Sequence, residues 1–191
     1  MYNIKDDQRS IRSSELLYVA LVRLVEQKPF HTITVTELVE EAQIGRATFY
    51  RNFDLIEDIL RMRCDQTFED LIVYMKAYLE EHQDEVGKLP LKPVLHYFHQ
   101  NSEIIEVLMT IKRLDIIQDA FRQVMGPFKP RLIALHGVAE MYVEYGLVVR
   151  VGIMTNILTQ WIASGKQPSP DELANTLGHM MGKMITADDV L

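Results

Sequence analysis

Between Thr34 and Phe53 the chain reads TVTELVEEAQIGRATFYRNF. Arg46, Ala47, Thr48, Tyr50, Arg51 and Asn52 crowd together there, with aromatics at Phe49, Tyr50 and Phe53. These residue types suit contact with a polyanion that carries readable edges. A guanidinium can meet a phosphate or grip guanine in a bidentate contact. Thr48 can reach a base edge or a thymine methyl, and Tyr50 can donate its hydroxyl to a phosphate. Arg51 adds a second cation, and Ala47 is small enough to permit close approach. Thr36 lies where a phosphate could sit on a helix N-terminus. A blander reading stands beside this one: Arg46 and Arg51 as solvated charges, Tyr50 as a cover over a small core. Phe49 and Phe53, four residues apart, read as core, as do Ile33, Val35, Leu38, Val39 and Ile44.

Such residues need helices to hold them. A first helix is expected from about Arg9 to Gln27, with Ile11, Leu17, Tyr18, Leu21, Leu24 and Val25 forming one apolar stripe. Lys28-Pro29 ends it, because the residue before proline is pushed out of the helical region. Thr34 then caps a second helix, Val35 to Ala42, with Glu37 completing a capping box. The run QIG makes a turn, and Gly45 caps a brief third helix from Arg46 to Asn52. Asp54, with Glu57 behind it, caps a fourth that runs from Leu55 to about Glu81. At 1.5 Å per residue this fourth helix is roughly 40 Å long.

The remainder also reads as helix. The run HQDEVGKLPLKP is a linker. Helices follow at Pro93 to Gln100, Ser102 to Lys112 and Leu114 to Met125. The run GPFKP breaks the chain at Gly126 to Pro130, and Leu132 to His136 starts another helix. A long apolar helix runs from Glu140 to Ala163, SGKQPSP is a second break, and Asp171 to Ile185 closes the chain. The class is all-α. Residues 1–53, with the start of the fourth helix to about 63, form a three-helix unit containing a helix-turn-helix. The long fourth helix joins it to a helical region, 64–191.

In a helix-turn-helix the last helix enters the major groove and its N-terminal residues meet base edges. The run FHTITVTELVEEAQIGRATFYRNFDLIEDIL resembles the DNA-binding region of the TetR/AcrR family of transcriptional regulators. The features that match are the Thr cap, the apolar-acidic second helix, the short turn, then Thr-aromatic-Tyr-Arg-x-Phe and an acidic cap. The resemblance covers about Arg9 to Arg63. It implies a homodimeric regulator, usually a repressor, that binds an inverted-repeat operator in double-stranded DNA and is released by a small molecule held in the C-terminal domain. It also implies a dimer interface built from the last two long helices, here Glu140–Ala163 and Asp171–Ile185. The sequence departs from the family's pattern at two positions. Gln43 stands where glycine is common, and Gly45 replaces the usual Ser-type cap.

Charge constrains how DNA could be held. The chain of 191 residues has a net charge of -7. From Met1 to Asp65 there are nine Lys and Arg against eleven Asp and Glu, a net of -2, which leaves -5 for the rest. The N-terminal third is the less acidic part by total but is not basic, so binding must rely on a placed cluster: Lys5, Arg9 and Arg12 in the arm, with Arg46 and Arg51. The single cysteine, Cys64, fits a reducing, cytoplasmic setting. The N-terminal run MYNIKDDQRSIRSSELL has no apolar signal core. Tyr142 to Ile162 is interrupted by Glu144, Arg150, Asn156 and Gln160, and reads as a helix buried on several sides rather than a membrane span.

Catalysis and cofactors are not expected. No P-loop, GxGxxG, GxSxG or HExxH pattern occurs, and Cys64 lacks a neighbouring base. His96 and His99 lack a third ligand at a helpful spacing, so no metal is expected. Candidates for an effector pocket are Tyr97, Phe98, Met109, Phe121 and Trp161, with core packing as the alternative reading. The rival function is a protein-binding adaptor on the same fold, one that does not read an operator independently.

Overall fold

The computed structural model describes residues 2–4, 7–82, 90–136 and 139–186. It is helical throughout, apart from short 3-10 turns and one isolated bridge between Tyr2 and Phe53. The helices are α1 (Gln8–Gln27), α2 (Val35–Glu41), α3 (Arg46–Asn52), α4 (Glu57–Glu81), α5 (Leu91–Gln100), α6 (Glu103–Thr110), α7 (Leu114–Met125), α8 (Lys129–His136), α9 (Glu140–Ala163) and α10 (Pro170–Thr186). The all-α expectation holds.

Local chemistry explains most boundaries. Asp7 caps α1 by accepting from the Ser10 N–H at 2.8 Å. Pro90 precedes α5, and Pro93 is accommodated in that helix's first turn, where no N–H is needed. The expected linker is therefore shorter than it reads, since Leu91, Lys92 and Pro93 are already helical; residues 83–89 of it lie outside the described residues. The expected break at GPFKP does not leave the helical region. Gly126–Phe128 forms a 3-10 turn and Lys129–His136 follows directly. Both prolines fall in first turns, where the ring removes no helical hydrogen bond. The second break is real: Gly165 and Lys166 take φ of 70° and 60°, and Gln167-Pro168 is cis.

Two compact units are distinguished. The first contains Met1–Thr67 and Glu103–Ala120. Its buried side chains include Leu17, Tyr18, Leu21, Leu38, Phe49, Phe53, Ile59 and Leu60, with Ile105, Leu108 and Ile117 from α6 and α7. The expected α1 stripe holds except at Ile11, which is 45% exposed. Ser10, Ser13 and Ser14 take the buried positions at that end of the helix instead. The second unit contains Phe68–Ser102 and Phe121–Leu191. There Phe68 packs on Phe98 and Phe121, with ring centroids at 5.6 and 4.6 Å. In the same unit α10 packs on α5, and Asp171 is paired with Lys92 at 3.0 Å and His96 at 3.2 Å.

Helix α9 is not enclosed on all sides. Val143, Leu147, Val151, Met154, Leu158, Trp161 and Ile162 are buried along one side. Met141, Tyr142, Tyr145, Val148 and Val149 are all more than half exposed. Its N-terminal half thus carries a second apolar stripe that is exposed among the described residues. By length and composition α9 could cross a membrane, but 44% of its most apolar window is buried inside the protein.

Candidate nucleic-acid interface

Three helices, α1, α2 and α3, pack on one another within the first unit. The start of α2 is fixed by the capping box read from the sequence. The Glu37 N–H donates to Thr34 Oγ1 at 3.3 Å, and the Thr34 N–H donates to Glu37 Oε2 at 2.9 Å. Lys28, at the end of α1, donates to the other carboxylate oxygen of Glu37. That cation, followed by the Thr34 hydroxyl and amide, holds the Glu37 carboxyl down to about 2.

The α2–α3 turn is a Schellman motif. The Gln43 N–H donates to Glu40 O at 3.1 Å and the Ile44 N–H to Val39 O at 3.0 Å. Gln43 is the left-handed residue the motif demands, with φ 54°. A side chain therefore sits where glycine is cheapest, at a cost of about 1 kcal/mol. Gly45 caps α3 in extended conformation (φ -75°, ψ 141°) and supplies no side-chain hydrogen bond. Added bulk there would meet Thr48 Oγ1 no closer than 3.9 Å, an ordinary contact.

Helix α3 then sorts its residues by phase. Phe49 and Phe53 are buried at 0% and 1% exposure and lie 6.0 Å apart. Arg46, Ala47, Tyr50 and Arg51 are exposed, Thr48 is half-buried, and Thr36 on α2 is exposed. The Arg46 guanidinium lies 5.9 Å from the centre of the Tyr50 ring, so these two form one outward group. Arg9 and Arg12 are exposed on α1, while Lys5 lies outside the described residues.

Asn52 is a correction to the sequence reading. It is 1% exposed and does not face outward. Its Oδ1 accepts from Ser10 Oγ at 2.9 Å, and its Nδ2 donates to Ser13 Oγ at 3.2 Å. The reason is helical phase: Asn52 follows Phe49 by three residues and so falls beside the buried face. The hydroxyls of α1, spaced three apart, were the available signal for a polar partner inside. A second correction concerns the start of α4. The helix opens at Glu57 rather than Leu55, and Asp58 folds back to accept from the Leu55 N–H at 2.9 Å.

A cluster of charges in the same unit involves α4, α6–α7 and their connection. Arg113 donates to Glu57 at 2.7 Å and to both carboxylate oxygens of Asp115 at 2.8 Å. Arg61 reaches Asp119 at 3.1 Å. A cleft of about 760 Å³ is lined by residues 25–31 and 110–113. None of the five sequence-derived effector candidates lines it. Phe98, Phe121 and Trp161 are buried in the second unit, Tyr97 is half-buried there beside Tyr74 (5.6 Å), and Met109 belongs to the first unit. The Trp161 indole N–H donates to Pro168 O at 2.8 Å. Also in the second unit, Thr155 is 1% exposed and its hydroxyl finds no hydrogen-bond partner among the described residues. Cys64 is fully buried, and burial, then Asp65, pushes its thiol up, which leaves no thiolate for nucleophilic work. No group of three or more His, Cys, Asp or Glu suited to a metal ion occurs among the described residues.

Comparison with known proteins bears on the same stretch. Residues 17–61 match the model for bacterial regulatory proteins of the tetR family. Over 180 residues the chain is 21% identical to YxbF of Bacillus subtilis (strain 168), described as an uncharacterized HTH-type transcriptional regulator. That alignment covers 88% of this chain and 44% of the relative, so the chain spans less than half of the relative's length. Among solved structures, Lin0861 from Listeria innocua superposes with a TM-score of 0.70 at 19% identity, covering 95% of this chain and 96% of that one. The fatty acid degradation regulator FadR from Bacillus halodurans gives 0.51 at 12% identity, covering 92% and 95%. At these identities the two structures speak to the fold alone.

Proposed function

We propose, from the premise that residues 17–61 are a TetR-family domain, that this chain reads an operator in double-stranded DNA as a homodimer and represses transcription until a small molecule binds its C-terminal region. The DNA-binding part is residues 1–53 with the start of α4 to about 63, and residues 64–191 dimerise and hold the effector. The reading side chains are Thr36, Arg46, Ala47, Thr48, Tyr50 and Arg51. The observation that carries this reading is the phase of α3: Phe49 and the C-cap residue Phe53 are buried while Arg46, Ala47, Tyr50 and Arg51 are all exposed on a seven-residue helix. In a helix-turn-helix the exposed face of the last helix is the one that meets the major groove.

Dimerisation draws support from the open apolar stripe of α9. Five large apolar side chains in nine residues are exposed there, and a contiguous patch of that kind is an interaction surface. A second copy related by a two-fold axis would cover it with its own equivalent stripe. For α10, Leu173 and Leu177 are half-buried and Met180 is 48% exposed, while the side chains of Met181 and Met184 lie outside the described residues. An effector with a hydrogen-bonding group draws support from the orphan hydroxyl of Thr155, since a buried hydroxyl without a partner costs about 1–3 kcal/mol.

The test is selection from a pool of random duplexes. The full chain should enrich an inverted repeat, and retardation of that duplex should survive excess random DNA. Affinity should fall steeply with salt, because phosphate contacts release counterions. Failure to enrich any sequence, with DNA retarded only in the presence of another protein, would instead favour the adaptor reading.

A further inference from the structure

We infer that the N-terminal arm, residues 2–4, is a strap that sets the angle of the reading helix, with Tyr2 as its positioning residue. The inference rests on the operator reading for its consequence, though not for its geometry. Helix α3 is only seven residues long, and the chain turns through 54–56 before α4 begins. At that corner the Asp58 carboxylate accepts from the Leu55 N–H at 2.9 Å, a bond that stays within the corner and does not reach α3.

The arm spans that corner. The Asn3 N–H donates to Asn52 O at 2.9 Å, and Tyr2 bridges to Phe53 in antiparallel fashion. The Tyr2 hydroxyl then donates to Asp65 Oδ2 at 2.7 Å, beyond the corner on α4. One short segment is thus bonded to the last residue of α3 and to the ninth residue of α4. A hydrogen bond to a carboxylate is among the stronger kinds.

Asn52 joins this strap to α1. Its side chain bonds Ser10 and Ser13, and its carbonyl oxygen takes the arm. The end of α3 is therefore held by α1 through a side chain, by the arm through the backbone, and by α4 through Tyr2. Nearby aromatic packing at Phe49 and Phe53 resists withdrawal of the helix, but apolar contacts direct it weakly. Directional bonds at one end fix its rotation, and rotation decides which edges Arg46, Thr48 and Tyr50 can meet. A misplacement of 1 Å is enough to spoil a bidentate contact.

The experiment uses the full chain and two probes: the duplex enriched from the random pool and a scrambled duplex of equal length. The variant Y2F removes only the hydroxyl, and D65N retains an acceptor. In Y2F, amide exchange at Asn3 and in the last turn of α3 should rise about tenfold, the worth of roughly 1.4 kcal/mol. Affinity for the enriched duplex should fall about tenfold, while affinity for the scrambled duplex stays within about twofold, since the phosphate attraction is unaltered. D65N, which keeps the acceptor but loses its charge, should fall between wild type and Y2F in both readouts. A purely structural role would lower both duplexes together or shift only the melting temperature. Unchanged exchange in Y2F overturns the strap, and so does an equal loss on both duplexes. If wild type does not discriminate between the duplexes, the operator reading fails; exchange at Asn3 then decides the strap, a rise supporting it and no change overturning it.

Discussion

Arg46 and Tyr50 test the interface one side chain at a time. They lie together on the exposed side of α3, and Tyr50 is 53% exposed. Little packing is lost on truncation, so R46A and Y50A should melt within a few degrees of wild type. Each should weaken binding to the enriched duplex about tenfold or more, as lost base or phosphate contacts of about 1–3 kcal/mol require. Gel shifts beside thermal melts check this, and unchanged affinity in both variants would remove α3 from the interface. Asn52 should behave in the opposite way. N52A takes the acceptor from the buried Ser10 hydroxyl, while Ser13 keeps its bond to Arg9 O at 2.8 Å, so stability should drop by about 2 kcal/mol in urea titrations. A loss under 0.5 kcal/mol would mean that the buried amide contributes little more than space filling.

The turn and caps make predictions for whole elements. Gln43 occupies a left-handed position at φ 54°, so Q43G should raise stability by about 1 kcal/mol despite the added freedom of the unfolded chain. Gly45 has room for a side chain, so G45S should add a few tenths of a kcal/mol by supplying the missing cap bond. Stability curves that fall in both variants would show that the Schellman turn is held by something other than backbone preference. The start of α2 responds to acid. Glu37 is held down to about 2 from its ordinary value of 4.5, mainly by Lys28 and next by Thr34. A depressed carboxyl stabilises the fold above its unfolded pKa. That contribution is therefore complete above about pH 4.5 and is lost as pH falls towards 2. Because the group is exposed, salt should diminish the effect. An NMR titration should place its midpoint near 2, and E37Q should show a flatter acid limb; a midpoint in the usual carboxylate range would mean that Lys28 does not hold the carboxylate in solution.

At the scale of the whole molecule, the open stripe of α9 predicts a second copy. Sedimentation velocity should find a dimer for wild type. V148E, which buries a charge in any interface built on that stripe, should sediment as a monomer with unchanged helical circular dichroism. A wild-type monomer at micromolar concentration would refute the dimer. The same logic separates the faces of α9: a polar change at Leu158, which is 1% exposed, should unfold the chain rather than split a dimer.

Much of this was legible in the residues. The capping box at Thr34 and Glu37, the Gly45 cap and the burial of Phe49 and Phe53 follow from spacing, because helix starts and apolar phase are local properties. So does the tetR-type motif, which lies within one continuous run. Other features depended on residues far apart in sequence. Asn52 looked like one more polar residue in a reading helix; phase sets it beside the buried face, and Ser10 and Ser13 of α1 supply the partners that let its amide stay there. Ile11 looked like stripe and is exposed, because the serines beside it take the packed positions. The open side of α9 was hidden in composition, since an apolar residue reads the same whether its own chain or another covers it. Local sequence determines where helices begin and which face is apolar; tertiary structure decides which polar groups find partners inside and which apolar faces are left open, because both depend on what the rest of the chain brings alongside.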